Sequence, residues 1–199
     1  MHTTTTTRTF AIAAALTLGL TLAGCSTSNT RSEADSSSSS TPAASAHDDH
    51  DVTFAQMMLP HHEQAIEMSD MLLAKGDGVD PDVAALAEQI KTEQSPEIEQ
   101  LTSWLRAWGA PTASKHSGTG EAMSGTMSDS DMTDLDQASA QDAGKLFLEQ
   151  MIQHHEGAVE MAKAEVDEGR NAEAVAMARS IVSSQTEQII RMQDMLAAM

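Results

Sequence analysis

The chain has a single cysteine, Cys25, and no tyrosine. One thiol cannot form an internal disulfide or a thiolate metal cluster. If Cys25 carries lipid, as the N-terminal signal leads one to expect, no free thiol remains and any soft ligand must be methionine sulfur. Aromatics are scarce, with three phenylalanines and two tryptophans against 14 methionines, so a core has to be built from Leu, Ile, Val, Ala and Met. Basic residues are also few: 11 Lys and Arg face 30 Asp and Glu, a formal charge of −19. Such a surface repels nucleic acid and anionic membrane, and neither is expected as a partner. It draws cations near, weakly and under salt screening. No nucleophile elbow, Cys–His pair or phosphate-cradling glycine loop is present, and the glycines fall in turns, so the chain is not expected to be an enzyme.

The longest apolar run, "FAIAAALTLGLTLAG" from Phe10 to Gly24, is short for a membrane span. It follows Arg8 and ends in "LAGC", Leu22 to Cys25. This looks like a bacterial lipoprotein signal. Residues 1–24 are expected to be removed, and Cys25 to carry lipid at the outer face of the cytoplasmic membrane or in the periplasm. Residues 25–50 are Ser/Thr/Ala-rich without periodicity and read as a disordered stalk. The domain is expected over 51–199, with a polar crossover loop at 109–138.

Four helical stretches divide the domain. The first runs from about Phe54 to Ala74, with Thr53 and Gln56 as a capping box and Pro60 as a kink. The second starts at Asp80 and Pro81 and carries apolar residues at helical spacing, interrupted by Pro96. The third starts near Ser139 and ends near Gly169, and the fourth begins after Asn171. The halves repeat. "MMLPHHEQAIEM", from Met57, returns as "QMIQHHEGAVEM", from Gln150. Phe54, Met58, His61, His62 and Met68 match Phe147, Met151, His154, His155 and Met161 at an offset of 93, while Ile90 and Gln94 match Ile181 and Gln185 at 91. Two helical hairpins joined by a long crossover predict an all-α four-helix bundle with a pseudo-two-fold.

At 100° per residue, His61 and His62 lie about 40° and 140° from Met57, within the apolar stripe, while Glu63 and Glu67 fall near ~240° and ~280°, facing water. Bundle di-iron sites need inward glutamates and a Glu-x-x-His motif, and no Glu stands three before any of these histidines. What shares the inner face is imidazole and thioether. Met58 with His62 and Met151 with His155 are i, i+4 neighbours, as are Met57 and His61. That donor set suits Cu(I) and Ag(I), is poor for magnesium or calcium, and admits zinc through histidine alone. Singly, each residue reads more simply as packing. Four inward imidazoles, though, are costly to desolvate without partners, which a metal or mutual hydrogen bonds supply. Gln94 and Gln185 sit on the seam either to hydrogen-bond the imidazoles and hold one tautomer or as polar core residues satisfied by backbone or water. "HDDHD", His47 to Asp51, reads as a solvated run or a weak divalent site in the stalk. His116, Met123, Met127 and Met132 in the crossover are either a flexible Cu(I) capture site or chance methionines.

"FAQMMLPHHEQAIEM" and "FLEQMIQHHEGAVEM" resemble the paired His-His signature of the bacterial domain-of-unknown-function 305 family. The resemblance covers about Asp51 to Met199. It implies a ferritin-like four-helix bundle in secreted or lipid-anchored proteins, some with copper-binding, periplasmic relatives. It nominates Met58, His61, His62, Met68, Met151, His154, His155 and Met161 as metal ligands. The expectation is therefore an extracytoplasmic, lipid-anchored protein binding copper, Cu(I) favoured, for buffering or tolerance. Two alternatives are a ferritin-like metal-dependent oxidoreductase and a metal-free interaction module at the cell surface.

Overall fold

A computed structural model describes residues 46–112 and 124–199. The signal segment 1–24, Cys25, the stalk up to residue 45, His116 and Met123 lie outside the described residues.

The described chain forms α1 (Asp49–Leu73), a 3-10 turn (Gly76–Gly78), α2 (Pro81–Ala107), α3 (Asp129–Gln137), α4 (Ala140–Glu168) and α5 (Ala172–Ala198). The start of α1 differs from the sequence expectation. Its cap is Asp48, not Thr53: the Asp48 carboxylate accepts from the His50 and Asp51 N–H groups, and the Asp48 N–H donates back to Asp51 at 2.6 Å. "HDDHD" is thus the end of the helix rather than stalk. Asp51 is fully buried because it accepts from the backbone N–H groups of Arg170 and Asn171 at 3.0 and 2.8 Å, fastening α1 to the α4–α5 turn. His47 stacks on Trp108 with ring centroids 4.7 Å apart. The other boundaries follow the expected caps: Asp80 with Pro81 for α2, Ser139 for α4 and Asn171 for α5. Helical structure continues through both Pro60 and Pro96.

The apolar stripes of the four long helices form two separate clusters. One contains Met68, Leu72, Ile90, Phe147, Met151 and Met192. The other contains Phe54, Met58, Leu101, Trp104, Met161 and Ile181. Along every long helix the chain passes from one cluster to the other through a polar stretch: His61–His62, Glu93–Glu97, His154–His155 and Gln185–Gln188. The core is therefore split at mid-height by a polar layer. The direction of passage also shows that the neighbours α1 and α2, α4 and α5, and α1 and α4 are antiparallel.

The crossover is not simply a loop. It contains α3, capped reciprocally by Ser128 and Asp131, whose Leu135 is fully buried. Met127 and Met132 pack against the Met68–Phe147 cluster, so they have a packing role. Ahead of α3, the segment from Ser124 to Ser128 straps the α1–α4 seam. Gln64 bonds the Met127 carbonyl and N–H at 2.9 and 2.8 Å, and Gly125, at φ +78°, lies against the backbone of Gly157. A Cβ on Gly157 would collide with the Ser124 carbonyl and the Gly125 Cα. Gly157→Ala should therefore lower stability by about 1–3 kcal/mol despite its better helix propensity. Limited proteolysis should show faster cutting near Ser124.

Candidate metal centre

The polar layer is built by the two histidine doublets. His61, His62 and His155 are fully buried and His154 is 1% exposed. Glu63, Glu67, Glu156 and Glu160 are exposed, as the helical angles predict. His61 and His154 meet across the α1–α4 seam with ring centroids 3.7 Å apart and planes 39° from parallel. No nitrogen of either ring makes a well-formed hydrogen bond, although the Ser124 backbone lies beside His61 and the His61 backbone beside His154. His154 and His155 stand 6.3 Å apart, ring to ring.

The outer pair is held differently. His62 Nε2–H donates to Glu97 Oε2 on α2 at 2.9 Å. His155 Nε2–H donates to Gln188 Oε1 on α5 at 2.7 Å, and Gln188 in turn donates to Glu93 Oε2 at 2.9 Å. With Nε2 carrying the proton, Nδ1 of both rings is left as a lone-pair donor, and it too has no partner. Glu97 and Gln188 are 91 positions apart, the offset that already matches Gln94 to Gln185. The orienting role therefore belongs to Glu97 and Gln188, one turn beyond the glutamines the sequence pointed to. Gln94 and Gln185 are each 3% exposed and their carbonyl oxygens bond nothing. Unlike Glu63 and Glu67, Glu97 reaches the layer edge with its side chain 20% exposed. The repeat offset was the available signal for this pair.

Electrostatics follow from burial. Desolvation pushes the His61 imidazole down to about 3, helped by repulsion from His62 and His155. The same causes hold His154 well below its ordinary value, with His61 the strongest repelling neighbour. Burial takes His155 down to about 4. These rings are neutral at pH 7, which is the state a metal requires.

The methionines sit above and below the layer. Met58 and Met151 are fully buried, one turn before His62 and His155 and on opposite sides of the layer. Met68 and Met161 stand about two turns from the imidazoles within the apolar clusters. Met161, with Met57, lines a cavity of about 260 Å³ beside the strap. Among the described residues no three His, Cys, Asp or Glu side chains converge on one point. The centre is therefore organised around an imidazole pair, with thioethers as the only further soft donors nearby. Two-coordinate or thioether-supported binding is chemistry for Cu(I) or Ag(I) and not for oxygen-seeking ions.

The Glu97 contact makes a prediction. Glu97→Ala removes the acceptor that fixes the His62 tautomer and should weaken metal binding about 10–100-fold. Glu97→Gln, which keeps an acceptor, should cost less. Competition titrations of the two variants, with circular dichroism as fold control, check this.

The four long helices and the buried imidazoles make this a helical bundle with a histidine layer at mid-height. Within that class the chain belongs to the DUF305 family, "Domain of unknown function (DUF305)", which matches residues 51–196. Similar solved structures include a DUF305 protein of Streptomyces coelicolor described as secreted, 33% identical, covering 78% of this chain and 93% of that one, with a TM-score of 0.69. A DUF305 fragment from Deinococcus radiodurans is 31% identical over 77% of this chain and 99% of its own, with a TM-score of 0.70. CopM in its Cu(I)-bound form is 29% identical over 74% and 96%, with a TM-score of 0.62, and CopM has also been crystallised with Cu(II) and with Ag. No curated protein matches the chain.

Proposed function

We propose that this protein binds copper as Cu(I) outside the cytoplasmic membrane, tethered by lipid on Cys25, and serves copper buffering or tolerance without catalytic turnover. The observation that carries the reading is the His61–His154 pair: two buried imidazoles in tilted contact, none of whose four nitrogens makes a well-formed hydrogen bond. Leaving buried polar groups unpaired costs about 1–3 kcal/mol each. A cation held at the ring edges, by one in-plane nitrogen lone pair from each ring, would convert part of that cost into ligand bonds. His61 and His154 would hold the ion, His62 and His155 would offer Nδ1, and Met58 and Met151 are the thioethers within one turn. The copper- and silver-bound forms of CopM support the choice of metal. The relative described as secreted supports the compartment, and the "LAGC" motif supports the anchor. The carboxylate-rich ligand set of a ferritin-type oxidase is not assembled among the described residues.

The test is a Cu(I) competition titration of residues 46–199 beside the same chain with His61, His62, His154 and His155 changed to alanine. Saturable uptake by the first and its loss in the second are expected. Equal uptake by both, with unchanged circular dichroism, would remove the histidine layer from the function.

A further inference from the structure

The polar layer reaches the surface on two sides, and the sides differ. Over the α1–α4 seam the strap closes it, with Gly125 backed onto Gly157 and Gln64 clasping Met127. On the opposite side α2 and α5 stand apart. They are bridged by long side chains, Gln188 to Glu93 at 2.9 Å and Arg191 to Gln89 at 2.9 Å, rather than by backbone packing. Between them lies a cleft of about 200 Å³ lined by Glu93, Gln94, Glu97, Ser184, Gln185 and Gln188, with Ser180 at its rim. Every residue lining it carries a carboxylate, amide or hydroxyl group, alongside the methylenes of their side chains. At the mouth are two carboxylates. Deeper in are the Gln94 and Gln185 carbonyl oxygens, both from residues 97% buried and both without a donor. Directly behind stand His62 and His155, bonded to Glu97 and Gln188.

We propose that the α2–α5 cleft is a cation-loading site. Glu93 and Glu97 draw a monovalent soft cation from water, and the Gln94 and Gln185 carbonyls replace part of its hydration shell. The ion then passes to the imidazoles. This rests on the copper reading above and adds where the ion comes in and which residues handle it first. Two physical gradients favour the direction. The field of a strongly acidic protein is focused in a cleft with low-dielectric walls, raising the local cation concentration and the on-rate. Hard oxygen ligands hold Cu(I) or Ag(I) loosely, whereas imidazole and thioether hold them tightly, so transfer inward runs downhill. The unpaired amide oxygens make sense in this scheme: an acceptor already bonded to a protein donor could not exchange with water around a moving ion. The Glu97–His62 bond makes the last station and the first imidazole neighbours.

Stopped-flow mixing of Ag(I) with the full chain tests the proposal, using two variants. Ser180→Trp places bulk over the exposed rim without touching a proposed ligand. Glu93→Gln removes one charge from the mouth while keeping an acceptor for Gln188. The expected result is an association rate at least about tenfold lower in Ser180→Trp with equilibrium affinity within about threefold of wild type. Glu93→Gln should also associate more slowly and lose part of the wild-type dependence on ionic strength. Unchanged association rates in both variants, with equilibrium binding intact, overturn the loading site and leave the copper reading standing. A wild-type chain that takes up no cation at equilibrium overturns both.

Discussion

Changing His61 and His154 together to leucine should cut Cu(I) affinity by more than about 100-fold and raise the melting temperature of the metal-free protein. Removing even an orienting partner of a metal ligand costs about 10–100-fold, so removing two ligands costs more. The stability gain has a separate cause. The two rings lie in mutual contact with no well-formed hydrogen bond at any of the four nitrogens and almost no solvent access. Leucine is close to histidine in bulk and brings no polar atom to desolvate. Replacing both members of an unsatisfied polar pair by apolar groups is neutral or stabilising. A gain of about 1–3 kcal/mol is expected, visible as a rise of about 2–4 °C per kcal/mol for a domain of this size. A purely structural histidine pair gives a different result, with stability falling and metal affinity unmoved. Differential scanning calorimetry and the competition titration, run on one preparation, separate the two.

The second large effect is acid lability of the metal-free protein. Burial lowers His61 to about 3 and His155 to about 4, with His154 well below the usual value, whereas in the unfolded chain all three take up protons near pH 6.5. Between those limits the unfolded state binds more protons. Stability is therefore fully present above about pH 6.5 and is lost as pH falls toward 4. Each histidine contributes a slope of about 1.4 kcal/mol per pH unit, so three together consume a typical folding stability of 5–15 kcal/mol within about two to three pH units.

Glu165 works in the other direction. It is 2% exposed, and desolvation, with Asp51 beside it, raises its carboxyl to about 8. The folded state holds that proton while the unfolded state has lost it, so stability declines as pH rises from about 4.5 to 8. The histidines dominate below 6.5 and Glu165 alone acts above it, which puts the stability maximum of the metal-free protein near pH 6.5. Glu165→Gln should flatten the alkaline limb and leave the acid limb in place. Cu(I) should shift the acid limb downward, because an ion bound only by the folded state stabilises it and competes with protons for the same nitrogens. Urea midpoints measured from pH 4 to 9, with and without metal, show each limb.

Much of this architecture is written in local signals. Asp80 with Pro81, Ser139 and Asn171 mark helix starts, and the helical angle alone turns both histidine doublets inward and Glu63, Glu67, Glu156 and Glu160 outward. What the sequence hides depends on distant partners. Asp51 looks like one member of a charge run, and only the Arg170 and Asn171 N–H groups, 119 and 120 residues away, make it a buried anchor. Helix α3 is short and acidic with one buried residue, Leu135, so its periodicity is invisible until it lies on α1 and α4. Gln94 and Glu97 are three residues apart on one face. Periodicity places both near the seam and does not say which side chain reaches His62. The gap between α2 and α5 has no sequence signature at all, because it follows from how far the polar side chains of the layer hold those helices apart.

In the proposed function one soft ion is held by a ring nitrogen of His61 and one of His154. Silver nuclei carry spin one-half, so a silver–nitrogen bond splits the ¹⁵N resonance of a bound imidazole. The measurement is the ¹⁵N spectrum of histidine-labelled protein loaded with one equivalent of Ag(I). Silver coupling is expected on a ring nitrogen of both His61 and His154. Coupling confined to the surface imidazoles His47 and His50, with the buried pair unsplit and unshifted, would contradict it.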